Sequence, residues 1–319
     1  MITQQSDILT ITLNPALDLS TQMGQVRANE KLRCDTPAID PGGGGINVAR
    51  AIQRLGGYAT AFVALAGLRG QQLSALLEQE GVPQLVLELP GETRISLAVT
   101  EQSAQTQYRF VMPGPEWTEE HVAKLCERLK GELREGTHVV LSGSQPPGLS
   151  PQFPSDFIKL AHAKGALVYL DTSGPAMMAL QEVGSLAPDV LRLDSAESEA
   201  LAGRALETIE DAVQFAQKLI ESGKAHCVVL ARGAEGSVLV TSDQALHAQT
   251  PPVPVQSKVG AGDSFMGGFI LSCARGKSWE DALRSGVASA SAAVMSPATE
   301  LCRASDVARL LPEVSVTKL

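Results

Sequence analysis

The fold is decided between residues 139 and 230, where four apolar runs follow one another: Val139-Val140-Leu141, Ala166-Leu167-Val168-Tyr169-Leu170, Val190-Leu191-Arg192-Leu193 and Cys227-Val228-Val229-Leu230. Helical patterns alternate with these runs, among them residues 119–133 and 209–221. Strands that are apolar on both faces are typical of a parallel sheet covered by helices on each side. We therefore predict an α/β fold of three layers, α/β/α, with a mainly parallel central sheet.

The same alternation continues toward both ends of the chain. Residues 8–13 and 60–66 predict further strands, and a helical pattern lies between them. Helices near 264–275 and 279–294 are predicted to close the domain. We find no repeat and no linker, and we expect a single domain over residues 1–319.

Strand-like runs crowd together at residues 84–89, 95–100 and 107–112. Their alternation and short turns predict an antiparallel patch with one exposed face. We therefore expect the domain to carry a small β lid, formed by inserted strands at about 15–40 and 85–115.

The composition is ordinary for a folded domain, with 44% hydrophobic residues, 19% charged residues and a net charge of −9. This acidic balance argues against nucleic acid and membrane surfaces as partners. The five scattered cysteines form no CxxC pair, and neither a secretory leader nor an apolar stretch of membrane length is present. We expect a cytoplasmic protein whose site for any anionic substrate is locally positive.

Polar runs follow the predicted strands, at residues 14–18, 142–148, 171–173, 194–197 and 233–236. Each alone is an ordinary turn. Their recurrence predicts a ligand site, because ligands gather at the carboxyl ends of parallel strands.

The run Val259-Gly260-Ala261-Gly262-Asp263-Ser264 leads into an apolar helical pattern. Small residues leave the first backbone amides of a helix bare, and such an end binds anions. A carboxylate among these amides fits a base that takes a proton from a hydroxyl while the amides hold negative charge. The pairing predicts phosphoryl transfer to an alcohol.

Three further sets of residues have two interpretations each. The glycines at 42–45 form either a flexible connector or a cradle beside Asn47. Asp194 and Glu197 form a helix capping box, a grip on hydrated Mg²⁺, or both. Arg94 and Lys31 are either solvated surface charges or the cations that a phosphate needs.

Two of these runs are similar to the sequence motifs of a known protein family. Gly-Gly-Gly-Gly-Ile-Asn-Val-Ala-Arg at 42–50 and Gly-Ala-Gly-Asp at 260–263 resemble the two signatures of the ribokinase-like (PfkB) sugar kinases. Within the family the chain looks most similar to the bacterial PfkB-type 6-phosphofructokinases. The resemblance implies ATP-dependent phosphorylation of fructose 6-phosphate at its C1 hydroxyl, with Mg²⁺, possible use of K⁺, and a homodimer formed through the lid.

The resemblance also implies residue roles. Asp263 is expected to be the base, and Gly260, Ala261 and Gly262 to stabilise the transferred phosphoryl group. The residues expected at the sugar phosphate are Asp18, Lys31, Gly43, Gly44, Gly45, Asn47, Arg94 and Ser144. Those expected at the nucleotide are Arg192, Asp194, Ala231, Gly233 and Gly236. Glu197 is expected to hold Mg²⁺ through water, and Ser257 and Val259 to line a monovalent-cation site.

The chain departs from the family pattern mainly on the nucleotide side. The usual Lys-Pro-Asn-x-x-Glu appears as residues 192–197, so that Asp194 adds a negative charge near Mg-ATP, and Ala231 replaces a hydroxyl residue. The run 296–300 replaces a pattern richer in asparagine, glycine and arginine, at the expected cation site.

Two other functions stay open at this stage. Relatives that phosphorylate fructose 1-phosphate or tagatose 6-phosphate usually carry a lysine in the glycine run, which this chain lacks, whereas residues 14–18 resemble the fructose 1-phosphate branch. A sugar-phosphate or nucleotide sensor without turnover is the alternative from another class.

Overall fold

The computed structural model describes residues 5–180, 186–297 and 299–319. These residues form fourteen strands: β1 Ile8–Thr12, β2 Ala16–Met23, β3 Ala38–Gly42, β4 Thr60–Ala66, β5 Gln84–Leu89, β6 Arg94–Glu101, β7 Thr106–Val111, β8 His138–Ser142, β9 Leu167–Asp171, β10 Val190–Leu193, β11 Cys227–Ala231, β12 Ser237–Val240, β13 Ala245–Ala248 and β14 Val316–Lys318. They also form ten α-helices: α1 Gly44–Arg54, α2 Gly67–Gln79, α3 Glu119–Glu132, α4 Phe153–His162, α5 Pro175–Ala179, α6 Ser195–Ala202, α7 Ile209–Glu221, α8 Ala261–Ala274, α9 Trp279–Val294 and α10 Ala304–Leu310.

The central sheet has ten strands in the order β14-β13-β12-β11-β10-β9-β8-β1-β4-β5. All pairings from β11 through β5 are parallel, and the three strands beyond β11 add antiparallel pairings at one edge. The predicted mainly parallel sheet is confirmed.

Helices cover both faces of this sheet. On one face α1, α8 and α9 pack around side chains such as Ile52 and Phe269, and on the other α3, α4 and α7 pack around Leu125, Phe157 and Phe215. Burying aliphatic and aromatic side chains of this kind contributes about 1.5–3 kcal/mol each, which explains why the strands between the two layers are apolar on both faces. The predicted three-layer fold is confirmed.

A second, four-stranded sheet forms the lid, with the order β3-β2-β6-β7. Its β2–β6 pairing is parallel and its other two pairings are antiparallel. Its strands follow β1 and β5 along the chain: β2 and β3 come after β1, and β6 and β7 come after β5. The backbone amide of Ala66 donates to Thr93 Oγ1 at 2.9 Å, which ties the entrance of β6 to the end of β4.

One predicted element was wrong. Gln84–Leu89, which the alternation assigned to the antiparallel patch, pairs in parallel with β4 as the edge strand of the central sheet. The alternation that led to this prediction is real, because Leu87 and Leu89 are buried while Glu88 between them is exposed. An edge strand that is half covered alternates in the same way as a lid strand does.

None of the helices in the described ranges is long and apolar enough to span a membrane.

Candidate active site

The N-terminus of α8 opens at the carboxyl edge of the central sheet. Gly260 precedes the helix with φ = 75°, in the left-handed region that favours glycine, and no side chain among the described residues caps this end. The helix begins three residues before the predicted position near 264, so Asp263 lies in its first turn. The first amides therefore keep their capacity to bind an anion.

Asp263 is half-buried, and its Oδ2 accepts a hydrogen bond from Asn47 Nδ2 at 2.9 Å. The pKa of Asp263 is raised from 3.8 to about 6, chiefly by burial and next by the nearby negative charge of Asp171, whereas the hydrogen bond from Asn47 and the charge of Arg192 lower it. A carboxylate with a pKa near 6 is ionised at neutral pH and is more basic than an ordinary aspartate. It is therefore suited to accept a proton.

Small residues bring Asn47 to Asp263. Asn47 and Ala51 lie one turn apart on α1, and Asp263 and Gly267 lie one turn apart on α8. A Cβ built on Gly267 would come within 2.7 Å of Ala51 Cβ, so the two helices cross where only glycine fits. The close crossing places the polar pair in hydrogen-bonding distance.

The glycine run at 42–45 leaves room for polar groups of neighbouring strands. A Cβ on Gly42 would overlap the carboxylate of Asp18, and a Cβ on Gly44 would overlap Ser142 Oγ and lie 2.8 Å from the backbone nitrogen of Gly143. The run is therefore closely packed and not a flexible connector, and its role in binding a ligand stays a prediction.

Asp18, Arg94 and Arg109 come together on the lid. Burial raises the pKa of Asp18 to about 6, although the two arginines lower it. Arg94 Nε donates to the backbone oxygen of Asn14 at 3.1 Å, and Asn14 Nδ2 donates to Ser144 Oγ at 3.3 Å. Asn14, Arg94 and Ser144 line a cavity of about 580 Å³ between the lid and the central sheet. The cavity offers a cation and a hydroxyl to an anionic ligand.

A buried ion pair lies across the ends of β9 and β10. Arg192 Nη1 lies 3.1 Å from Asp171 Oδ1, and Ser142 Oγ donates to Asp171 Oδ2 at 3.2 Å. The guanidinium of Arg192 also reaches the position where a side chain on Gly262 would lie. Its buried Nε has no hydrogen-bond partner among the described residues. A positive charge with an unused donor thus lies beside Gly262 in the first turn of α8.

Asp194 and Glu197 form a capping box at the start of α6. Asp194 Oδ1 accepts from the amide of Glu197, and Glu197 Oε2 accepts from the amide of Asp194, both at 2.8 Å. The pKa of Glu197 is raised to about 7, chiefly by burial; the hydrogen bond from the Asp194 amide lowers it, whereas the negative charges of Asp194 and Asp171 raise it. The capping interpretation of the pair is confirmed.

The charges around Arg192 show whether the residues at this edge fit Mg²⁺. Three carboxylates, those of Asp171, Asp194 and Glu197, surround the single cation of Arg192, and the excess negative charge is what a divalent ion neutralises. Mg²⁺ accepts few protein carboxylates and keeps several waters, so a water-mediated grip by Glu197 fits. No direct cluster of three or more metal-ligating side chains occurs in the described part of the chain.

The other expected nucleotide residues adjoin this edge. Ser195 Oγ donates to the backbone oxygen of Ala231 at 3.0 Å, which joins the ends of β10 and β11. Gly233 and Gly236, with positive φ, enclose the turn after β11. Ser257 and Val259 lie in the segment before α8, where the amide of Val259 donates to Ser257 Oγ at 3.2 Å. Ala298 of the expected cation site lies outside the described residues.

Lys31 is not brought to the site within this chain. It is exposed on the connection between β2 and β3, and no described contact joins it to Asp18, Arg94 or Asp263.

Asp171 belongs to the polar run 171–173 that was predicted to contribute to the ligand site, although no individual role was assigned to it. Arg109 and Glu80 had no role in the sequence-based prediction, and Arg50 entered it only as the last residue of the 42–50 signature. The contact between Arg50 and Glu80 had no local signal, because it joins residues 30 positions apart.

A sheet edge with an uncapped helix N-terminus, a carboxylate of raised pKa and a lid is the arrangement expected of a phosphotransferase of the ribokinase-like type. The match of the family model for pfkB family carbohydrate kinases spans residues 9–306. The chain belongs to this family of carbohydrate kinases.

Two relatives and one solved structure are particularly similar. The ATP-dependent 6-phosphofructokinase isozyme 2 of Escherichia coli is 39% identical over 97% of this chain and 99% of its own length. The 1-phosphofructokinase of Bacillus subtilis is 31% identical over 98% of this chain and 100% of its own. The crystal structure of E. coli phosphofructokinase-2 with fructose-6-phosphate superposes with a TM-score of 0.89 at 38% identity, covering 97% of this chain and 99% of that one.

Proposed function

We propose that the chain is an ATP-dependent 6-phosphofructokinase, which transfers the γ-phosphoryl group of ATP to the C1 hydroxyl of fructose 6-phosphate. The observation that carries the proposal is the hydrogen bond from Asn47 to Asp263 at the uncapped N-terminus of α8. It orients a basic carboxylate next to backbone amides that can stabilise the negative charge of the transferred phosphoryl group.

The acceptor binds between the lid and the sheet edge. Arg94 and Ser144 in the cavity offer donors to the 6-phosphate, and arginine binds phosphate in a bidentate manner. Asp18 and Asn47, with the amides at Gly43, Gly44 and Gly45, face the sugar hydroxyls. Asp263 accepts the C1 proton as the new O–P bond forms, and ADP leaves as the bond to its β-phosphate oxygen breaks.

The nucleotide lies along the ends of β10 and β11, with Arg192, Asp194, Ala231, Gly233 and Gly236 beside it. Glu197 holds Mg²⁺ through water, and the ion supplies neutralisation of phosphate charge when bound. Gly260, Ala261 and Gly262 direct their amides at the transferred group. Positioning and charge neutralisation of this kind supply most of the catalysis of phosphoryl transfer.

The solution state and the second cation also belong to the proposal. A structure of the E. coli enzyme contains potassium, and another is a tetrameric inhibited form. Ser257 and Val259 contribute to a K⁺ site here. Two chains pair through β7, whose side chains are all exposed and include Phe110, and Lys31 reaches the partner's site. The enzyme works in the cytoplasm.

A kinase for fructose 1-phosphate or tagatose 6-phosphate is the second candidate, favoured by the 1-phosphofructokinase relatives. Against it stands Gly44, where the backbone leaves no space for the first carbon of a lysine side chain beside Ser142. A non-catalytic sensor is disfavoured by the basic, hydrogen-bonded Asp263.

One assay separates these candidates. The purified protein is given Mg-ATP and each of fructose 6-phosphate, fructose 1-phosphate and tagatose 6-phosphate, and kcat/KM is measured from ADP release. The proposal expects fructose 6-phosphate to have the highest value. A higher value for either other sugar refutes the substrate assignment, and tight calorimetric binding without ADP release supports the sensor.

A further inference from the structure

Arg50 of α1 is an almost fully buried cation, with 3% of its side chain exposed. Its Nε and Nη2 donate to both carboxylate oxygens of Glu80, at 2.7 and 2.6 Å, just beyond the end of α2. Its Nη1 donates to the backbone oxygen of Pro41 at 3.0 Å and to Asn47 Oδ1 at 3.2 Å. One guanidinium therefore joins α1, α2 and the lid strand β3.

These contacts determine which way the amide of Asn47 faces. A guanidinium can only donate hydrogen bonds, so the atom of Asn47 that contacts Arg50 must be the carbonyl oxygen. The amide nitrogen then faces Asp263, and a carboxylate can only accept. With a flipped amide, two donors would meet at Arg50 and two acceptors at Asp263.

We infer that Arg50, fixed by Glu80, is a positioning residue that orients the Asn47 amide toward the base Asp263. No described contact joins Arg50 to Asp263, so it acts on this carboxylate through Asn47; its charge also lowers the pKa of Asp18. The inference rests on the proposed function for the identity of the base. It adds Arg50 and Glu80 as the residues that keep the hydrogen bond from Asn47 to Asp263 in place.

The pKa of Asp263 depends on whether Asn47 is held in place. The groups that face Asp263 are Asn47 on α1, Asp171 at the end of β9, Arg192 on β10 and Asp18 on β2. The hydrogen bond from Asn47 lowers the pKa of Asp263. When the amide is released, this pKa must rise, so the acidic limb of the pH–kcat profile moves to higher pH.

Arg50→Lys is the primary test, because lysine keeps the positive charge but cannot make the same set of hydrogen bonds. We expect the acidic limb to move up by about one pH unit, with kcat lowered more than KM is raised. Arg54→Lys is the matched control, one turn further along α1, where Arg54 Nη1 donates to the backbone oxygen of Leu301 at 3.2 Å. It should leave the profile in place.

Glu80→Gln distinguishes positioning from a long-range field. Removal of a negative charge lowers the pKa of other carboxyl groups, whereas a loosened Arg50 raises that of Asp263 through Asn47. A move of the acidic limb to higher pH supports the inference. A move to lower pH, an unchanged limb in Arg50→Lys, or an equal shift in Arg54→Lys overturns it.

A double-mutant cycle with Asn47→Ala completes the experiment. Arg50→Lys should lower kcat by about tenfold in the otherwise unchanged chain. In a chain that already carries Asn47→Ala, and therefore lacks the side-chain amide, it should lower kcat by less than about twofold. Additive effects overturn the inference.

A titration of the Asp263 carboxyl carbon by NMR, without substrate, gives the same comparison independently of turnover. If fructose 6-phosphate is not phosphorylated, the proposed function fails, while this titration still decides the role of Arg50.

Discussion

Asp263→Asn is the most direct test of the proposed chemistry. The substitution keeps the size of the side chain, and Asn47 Nδ2 can still donate to an amide oxygen at the same place. It removes the carboxylate that we propose as the acceptor of the proton from the sugar hydroxyl. We expect kcat to fall by ~10²–10⁴-fold, the usual contribution of a general base, with little change in the affinity for fructose 6-phosphate.

The same substitution should make the protein more stable at neutral and alkaline pH. The folded-state pKa of Asp263 is about 6 against an ordinary value of 3.8, mainly because the carboxylate is buried. The folded protein therefore binds more protons than the unfolded chain between these two values, and its stability falls as the pH rises through them. A difference of roughly two pKa units corresponds to about 3 kcal/mol of lost stability once the pH lies well above both pKa values. We take this as the upper limit of the stabilisation by asparagine.

The assay combines turnover, binding and unfolding. ADP release gives kcat, calorimetry gives the affinity for fructose 6-phosphate, and thermal unfolding is compared at about pH 5 and about pH 8, where the linkage differs. Asp281→Asn is the matched control, because Asp281 lies in the first turn of α9 and its side chain is 51% exposed. It should keep normal turnover. Near-normal kcat in Asp263→Asn would refute the assignment of the base, and unchanged stability at the higher pH would refute the electrostatic argument.

Three further predictions concern the cradle, the nucleotide and the lid. Gly44→Ala should lower kcat/KM for fructose 6-phosphate by about tenfold or more, because its Cβ overlaps Ser142 Oγ; Gly24→Ala, which meets no atom within 4 Å, should not. Asp194→Asn should change the free energy of unfolding by less than about 0.5 kcal/mol, because both residues cap helices well, and should lower KM for Mg-ATP; an increased KM would contradict this. Phe110→Asp should convert a lid dimer into monomers in sedimentation experiments, whereas Val255→Asp, also on an exposed side chain, should not.

The sequence predicted the elements whose patterns were complete within a short window. Residues 209–221 form α7 with the predicted bounds, because an amphipathic pattern coincides with the N-cap at Thr208, whose hydroxyl accepts from Asp211. Gln84–Leu89 was assigned to the wrong sheet, because alternation reports only that one face of a strand is exposed. Which sheet a strand joins depends on partners elsewhere in the chain.

The same distinction applies to the site. The two glycine-rich runs were visible as motifs, but the distance between Asn47 and Asp263 comes from two helices that meet 216 residues apart in the chain. Gly267 and Ala51, which permit that meeting, look like ordinary small helix residues in the sequence. Nothing in a local pattern distinguishes a buried Arg50 from the exposed arginines around it.

The charge distribution at the sheet edge connects stability with substrate binding. Asp18, Asp263 and Glu197 all have raised pKa values, each chiefly because the carboxyl group is buried. Each of these groups binds more protons in the folded state than in the unfolded chain, so each lowers the stability of the fold as the pH rises toward neutrality. The acidic groups at the proposed nucleotide site are expected to repel an anion that arrives without a counterion. We expect the binding of Mg-ATP, rather than of free ATP, to lower the pKa of Glu197 and to restore part of the lost stability, so saturation by Mg-ATP should raise the unfolding temperature more at alkaline than at acidic pH.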